Sequence, residues 1–255
     1  MKPKTMTFVE HLEELRWVFI KSLLAVLAGT AVCLGFSPKI YAWLQAPLAK
    51  ILPEGSHFIA TTPFESYAAY FKVALVFGFL LATPFVFFFF WNFLRHGLED
   101  HERRGVIPIA LATSALFVGG ALFGYFVVFP TGFRFVVGIL EGTGIVFYPR
   151  MSDYLSFSLR LLIAFGVIFE LPLFLLILGK LGLVNAKQLG KARKYAIILI
   201  FLVAGILTPG PDVLSQILMA LPLLVLFEVG IVLVRVFGAK QPKLATEENS
   251  TGVLP

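Results

Sequence analysis

Long uninterrupted apolar runs constrain the fold of this sequence more than any other feature. A helix that crosses the roughly 30 Å hydrocarbon core of a bilayer needs about 20 apolar residues. Four runs reach that length, and two more, separated only by a Pro-Gly-Pro-Asp turn, complete a set of six at about 17–36, 70–93, 107–129, 155–181, 195–208 and 214–234. We therefore predict an all-α integral membrane protein with six transmembrane helices.

The low content of charged residues supports this prediction. Only 14% of the residues are charged and 58% are hydrophobic, whereas soluble proteins carry about 25% charged residues. A chain so poor in charge cannot cover a water-facing surface, so lipid must solvate much of it. We predict a single membrane domain over residues 1–240 and a polar C-terminal tail over residues 241–255.

The fifth run is unusually short. Between Lys194 and Pro209 it has about 14 residues, or ~21 Å of helix at 1.5 Å per residue. It is either a short span or one half of a longer buried helix. The Pro-Gly-Pro-Asp sequence favours a turn over a continuous rod, and we expect the bilayer to thin locally around helices 5 and 6.

The distribution of basic residues predicts the orientation. With the N-terminus inside, fifteen of the 21 Lys and Arg residues fall on the inner side and six on the outer side. Cytoplasmic loops carry the excess of Lys and Arg in membrane proteins. We therefore expect both termini in the cytoplasm.

Two outer segments have the character of capping helices. Residues 37–69 and 131–141 place apolar residues at helical spacing, which is typical of helices at a membrane interface. Packing is the simplest role for them.

Metal, cofactor and catalytic sites are not indicated. Cys33 is the only cysteine, and the four histidines lack the spacing of a metal site. An intramembrane enzyme would need a nucleophile and a base, or several metal ligands, at membrane depth. We therefore predict no cofactor, no metal and no enzymatic activity.

Glu170 lies about halfway along the fourth apolar run, where a carboxyl group is costly. Insertion scales assign about 2.5–3.5 kcal/mol to such a group at a helix centre, so it should face a polar cavity or bond to another helix. Pro172 follows closely and removes a backbone donor. We expect a kink there, with Glu170 on a concave, partly hydrated side of the bundle.

Other polar groups stand out at both ends of the spans. Acidic residues cluster at Glu13-Glu14 before span 1 and at 99–102 between spans 2 and 3, both on the predicted inner side. Thr208, Ser215 and Gln216 lie at the short hairpin between spans 5 and 6. They either bond a polar residue on a partner helix or cap helix termini.

An ordered set of motifs resembles the TatC family, the Sec-independent protein translocases. The match covers roughly residues 7–238 and includes HLEELR at 11–16, APL at 46–48, TPFE at 62–65, LEDHERR at 98–104, FGVIFELP at 165–172 and LTPGPD at 207–212. No single motif would suffice, but the ordered set is specific.

The resemblance implies a glove-like, concave six-helix bundle with periplasmic cap helices. It also implies a subunit of the inner membrane that binds twin-arginine signal peptides at the cytoplasmic face. Such a subunit works with the single-span partners TatA and TatB, as a homo-oligomer, and exports folded proteins with the proton-motive force.

The resemblance also assigns roles to individual residues. Glu14 and Glu102 match the carboxylates that receive the two arginines, and Phe93 and Arg104 belong to the same signal-binding loop motif. The remaining matches are Glu170 as the intramembrane glutamate, Thr208 and Gln216 as the contact for a partner helix, and Pro47 and Glu65 as structural residues of the cap. The alternative is a proton-coupled secondary transporter in which Glu170 carries the proton.

Overall fold

The computed structural model describes residues 8–52, 56–95, 105–140, 148–208 and 213–238. Within these ranges the chain is helical, apart from short connections and one isolated bridge between Ile59 and Arg150. The helices are α1 (Phe8–Ala49), α2 (Glu65–Leu94), α3 (Val106–Phe123), α4 (Phe129–Leu140), α5 (Met151–Phe169), α6 (Leu171–Lys180), α7 (Ala186–Leu207) and α8 (Val213–Phe237).

These segments make the six spans that the apolar runs predict. A π-helical turn, Gly124–Val128, joins α3 to α4 without interruption, and α5 and α6 are two halves of one span that breaks at Glu170. Five of the spans are long and apolar enough to cross a membrane. The remaining one, α7, begins with a basic stretch that contains Lys187, Lys191 and Arg193. The prediction of an all-α, six-span membrane protein is confirmed.

The hairpin between the last two spans consists of separate helices. Gln216 on α8 donates to the Phe201 carbonyl on α7 at 2.8 Å, and Arg193 pairs with Glu228 at the other end. This register requires α7 and α8 to run antiparallel. The alternative of one continuous buried helix is therefore wrong, and the turn at residues 209–212 lies outside the described residues.

The cap helices continue the transmembrane helices. Helix α1 runs through Pro38 and Pro47 as far as Ala49, and α4 continues the third span. We call this end of the bundle the cap end, and the opposite end, where α1 begins, the N-terminal end.

Substitute donors explain how helices pass through proline. Proline has no N–H, so the carbonyl four residues earlier loses its helical partner. The hydroxyl groups of Ser37 and Thr83 donate to the Leu34 and Leu80 carbonyls, at 2.9 and 2.8 Å, in front of Pro38 and Pro84.

Tyrosines from other helices provide the donors around Pro47. The Tyr125 hydroxyl donates to the Trp43 carbonyl at 2.6 Å, which is the carbonyl that Pro47 leaves without a partner. The Tyr154 hydroxyl donates to the neighbouring Leu44 carbonyl at 2.7 Å. These two bonds, made where Pro47 interrupts the hydrogen bonding of α1, join α1 to the third and fourth spans at the cap end.

The helices form an open, glove-like arrangement rather than a closed ring. Helix α1 packs on α2, α2 on α3 and α5, α3 on α5, α6 on α8, and α8 on α7. In this series of packed helices, α1 lies at one end and α7 at the other. A cavity of about 310 Å³ lies between α4, α5 and α8 at the cap end, with mostly apolar walls.

Candidate functional site

The junction of α1 and α2 at the N-terminal end positions Glu14. The His11 ring stacks on Phe93, with ring centroids 4.6 Å apart, and Phe93 is buried. Glu14 lies three residues after His11, on the adjoining part of the helix surface. It is half-buried, and its Oε2 atom is shielded from solvent, whereas Glu10 and Glu13 are exposed. The geometry distinguishes Glu14 from its acidic neighbours.

Phe93 contributes by packing. It lies in the last turn of α2 rather than in the following loop, because α2 extends to Leu94. Its stack with His11 fixes the start of α1 against the end of α2. The Trp91 indole donates to the Thr113 hydroxyl at 3.0 Å and attaches the same end of α2 to α3.

Glu102 and Arg104 lie outside the described residues. They belong to the connection between α2, which ends at Leu94, and α3, which begins at Val106. Their predicted role is therefore unchanged.

Glu170 occupies the break between α5 and α6. Its N–H donates to the Val167 carbonyl at 3.1 Å and its carbonyl accepts from Phe174 at 2.8 Å, so the chain bends without losing these bonds. The kink expected before Pro172 is present. The side chain is half-buried, and its Oε1 atom has no hydrogen-bond partner among the described residues. The expectation that Glu170 faces a hydrated concavity stays a prediction.

The polar residues of the short hairpin bond mainly within the hairpin. Thr208 donates to the Ala204 carbonyl at 2.9 Å, and Gln216 donates one amide N–H to Phe201. Both lie beside Gly205. The Thr208 hydroxyl also donates to the Gly205 carbonyl at 3.3 Å, and a Cβ added at Gly205 would lie 3.0 Å from the Gln216 amide nitrogen. Thr208 and Ser215 also line the cavity at the cap end. The structure brings this predicted group together.

Glu65 anchors the cap. Its Oε2 atom accepts from the Thr61 N–H at 2.6 Å and the Thr62 N–H at 3.3 Å, and its Oε1 atom accepts from the Ser152 N–H at 2.8 Å. The carboxylate thus joins the segment before α2 to the start of α5. The Arg150 guanidinium donates to the Thr61 hydroxyl at 2.7 Å and strengthens the same connection.

An ion pair between α7 and α8 was not predicted from the sequence. Arg193 Nη2 lies 2.7 Å from Glu228 Oε2, and both side chains are about half exposed. For Glu228 the sequence leaves a solvated role and an interhelical bond open, but it does not identify Arg193 as the partner. Counting back from the turn along two antiparallel helices could have identified the pair.

Comparisons with known proteins agree with the motifs. A family model described as Sec-independent protein translocase protein (TatC) matches residues 10–222. The TatC proteins of Desulforapulum autotrophicum and Aquifex aeolicus are 43% and 38% identical to this chain; the matches cover 95% and 94% of this chain and 90% and 99% of theirs.

A solved structure shares the fold. A crystal structure of the twin-arginine translocase receptor TatC in DDM is 38% identical, with a TM-score of 0.81, and the match covers 89% of this chain and 100% of that one. By sequence and by fold, the chain belongs to the TatC family of Sec-independent protein translocase proteins.

Proposed function

We propose that this chain is the core receptor subunit of a twin-arginine translocation system. It binds twin-arginine signal peptides at the cytoplasmic face, assembles with TatA and TatB, and exports folded proteins with the proton-motive force. The observation that carries the proposal is the half-buried Glu14 carboxylate beside the stack of His11 on Phe93. The α2–α3 connection, with Glu102 and Arg104, leaves the bundle at the same end.

The chemistry of two separated carboxylates suits this peptide. Arginine presents a planar fork of donors that a carboxylate accepts through two parallel hydrogen bonds, whereas lysine is a point charge. Glu14 and Glu102 each receive one arginine. Phe93 holds α1 in the position that brings Glu14 to this surface. The apolar stretch after the two arginines then enters a groove between the spans.

The remaining candidate residues support assembly and transport. Thr208 and Gln216 offer polar contacts to a TatA or TatB helix, since Gln216 uses one of its amide hydrogens in the described part of the hairpin and the second has no bond there. Glu170 serves as the intramembrane polar group on the concave side. Glu65 holds the cap through its hydrogen bonds to the Thr61 and Ser152 N–H groups, and Pro47 contributes by leaving the Trp43 carbonyl free to accept from Tyr125.

Location and orientation complete the proposal. The chain is a multi-pass membrane protein, and we place it in the cytoplasmic membrane with both termini in the cytoplasm. The excess of Lys and Arg at the N-terminal end supports this orientation.

Binding of a twin-arginine precursor to the purified protein tests the proposal. Each charge-assisted hydrogen bond is worth about 1.5–3 kcal/mol, so Glu14→Gln should weaken binding by roughly 10–150-fold. Glu14→Lys and Glu102→Lys should weaken it further, because repulsion replaces attraction.

The matched control is Glu13→Gln, which removes an exposed carboxylate one residue away. It should bind the precursor like the wild type. Thermal melting must show that every variant is folded. Unchanged affinity in both folded charge reversals would exclude Glu14 and Glu102 from the site.

A further inference from the structure

Two basic side chains lie within the spans near the cap end, on neighbouring helices. Lys72 on α2 donates from Nζ to the Ser156 hydroxyl on α5 at 3.3 Å. Arg160 follows Ser156 by four residues, so it lies on the same face of α5, one turn further from the cap. Both basic side chains are exposed.

The helix lengths give the depth of this face. The spans Glu65–Leu94 and Met151–Lys180 each have 30 residues, or about 45 Å of helix against a hydrocarbon core of roughly 30 Å. If each is centred, the hydrocarbon begins about five residues inside its end. Ser156 then lies at the boundary, and Lys72 and Arg160 lie roughly 3 and 6 Å inside it. Long basic side chains at this depth extend toward the lipid phosphates.

The described part of the chain provides no carboxylate for these two cations. Arg150 pairs with Asp153, at 3.9 Å, and Arg193 pairs with Glu228. Asp153 lies on the same side of α5, but its side chain is 71% exposed and already faces Arg150. The Glu65 oxygens accept from backbone N–H groups of the cap. The face formed by Lys72, Ser156 and Arg160 therefore keeps an excess of positive charge.

We propose that Lys72, Ser156 and Arg160 bind the phosphate of an anionic phospholipid in the groove between α2 and α5. The phosphodiester is the anion that a membrane supplies at this depth, and basic pockets between transmembrane helices recognise such head groups. Its acyl chains run deeper along α5, where Ile163 is half-buried and Val167 is exposed. A zwitterionic lipid binds less well because its own cation offsets the attraction.

Native mass spectrometry of the purified full-length chain, titrated with phosphatidylglycerol or phosphatidylcholine, tests the proposal. Two basic residues at about 1 kcal/mol each correspond to roughly a 30-fold preference for the anionic lipid. The double variant Lys72→Gln with Arg160→Gln should bind the two lipids with affinities that differ by no more than about twofold. Exchanging the two residues, Lys72→Arg with Arg160→Lys, should keep most of the preference.

The matched control is Lys39→Gln combined with Arg134→Gln. It removes the same charge from exposed residues of α1 and α4 at the cap end, and it should retain the preference. If the double variant melts early in phosphatidylcholine, Arg160→Gln alone carries the test, since it leaves the Lys72–Ser156 hydrogen bond intact. For this single variant, the preference for phosphatidylglycerol over phosphatidylcholine should fall about fivefold.

Three results would overturn the proposal. The first is a wild-type protein that binds both lipids equally. The second is a control pair that loses the preference as completely as the double variant. The third is self-association of the chain that the double variant abolishes without any lipid preference, which would assign this face to a second copy.

Discussion

Thr83 shows how a single hydroxyl group maintains a helix through proline. It is fully buried, and it donates to the Leu80 carbonyl that Pro84 leaves without a helical partner. Nothing in a bilayer would replace this bond, because lipid tails offer no donors.

Removing that hydroxyl should destabilise the protein modestly. Thr83→Val keeps the shape but leaves the Leu80 carbonyl unpaired. We expect a loss of about 0.6 kcal/mol, the average measured for side-chain hydrogen bonds between membrane helices, and no more than the maximum of about 1.7 kcal/mol. Thr83→Ser keeps the hydroxyl and is the control. Thermal unfolding in detergent measures both; equal melting temperatures for Thr83→Val and the wild type would contradict this account.

At the scale of helices, the backbones of α1 and α2 approach each other very closely at one crossing. A methyl group added at Gly78 would overlap the backbone of Thr30, and one at Gly29 would overlap the carbonyl of Gly78. Small residues let two helices pack backbone against backbone in a membrane, where the hydrophobic effect does not drive association. This contact holds α1, and with it Glu14, against the rest of the bundle.

The α1–α2 contact predicts a difference between two glycines. Gly78→Ala should cost about 1–3 kcal/mol, because a backbone cannot yield to the new methyl group as a flexible side chain would. Gly35→Ala on α1 is the control: its new Cβ meets nothing within 4 Å, and alanine favours the helix by about 1 kcal/mol. Thermal melting should rank Gly35→Ala at or above wild type. A Gly78→Ala variant that melts at or above wild type would show that the backbones of α1 and α2 do not meet at this crossing.

The sequence predicts individual spans better than the contacts between them. Apolar length locates six helices, and Pro172 correctly indicates the break at Glu170. The pattern at residues 37–69 predicts a capping segment distinct from the first span, whereas α1 runs without a break from the span into the cap as far as Ala49. The donor that replaces the one lost at Pro47 is Tyr125, 78 positions further along the chain, and no local pattern reveals such a partner. The partners of the Arg193–Glu228 pair are also far apart along the chain, and they become visible only once α7 and α8 are known to run antiparallel.

At the scale of the whole molecule, the alternating directions of the helices collect the basic residues at one end. The N-terminal end holds the start of α1, the end of α2 and the start of α7, and with them Arg16, Arg95 and the basic stretch of α7. Charges near helix ends determine the orientation of a membrane protein during insertion. One surface then carries both the residues that we propose bind the signal peptide and the positive charge that we expect to keep this end in the cytoplasm.

Labelling of single cysteines tests this topology. Cys33 is the only native cysteine, so Cys33→Ala gives a background in which Gly190→Cys marks the start of α7 and Tyr67→Cys marks the cap. A membrane-impermeant maleimide added to spheroplasts should label Tyr67→Cys, whose native side chain is 76% exposed, and should leave Gly190→Cys unmodified. Gly190→Cys should react only after lysis. Its reaction with the maleimide after lysis shows that the thiol is accessible once the membrane is open. Labelling of Gly190→Cys in intact spheroplasts would reverse the orientation and place Glu14 on the wrong side of the membrane for a signal peptide that arrives from the cytoplasm.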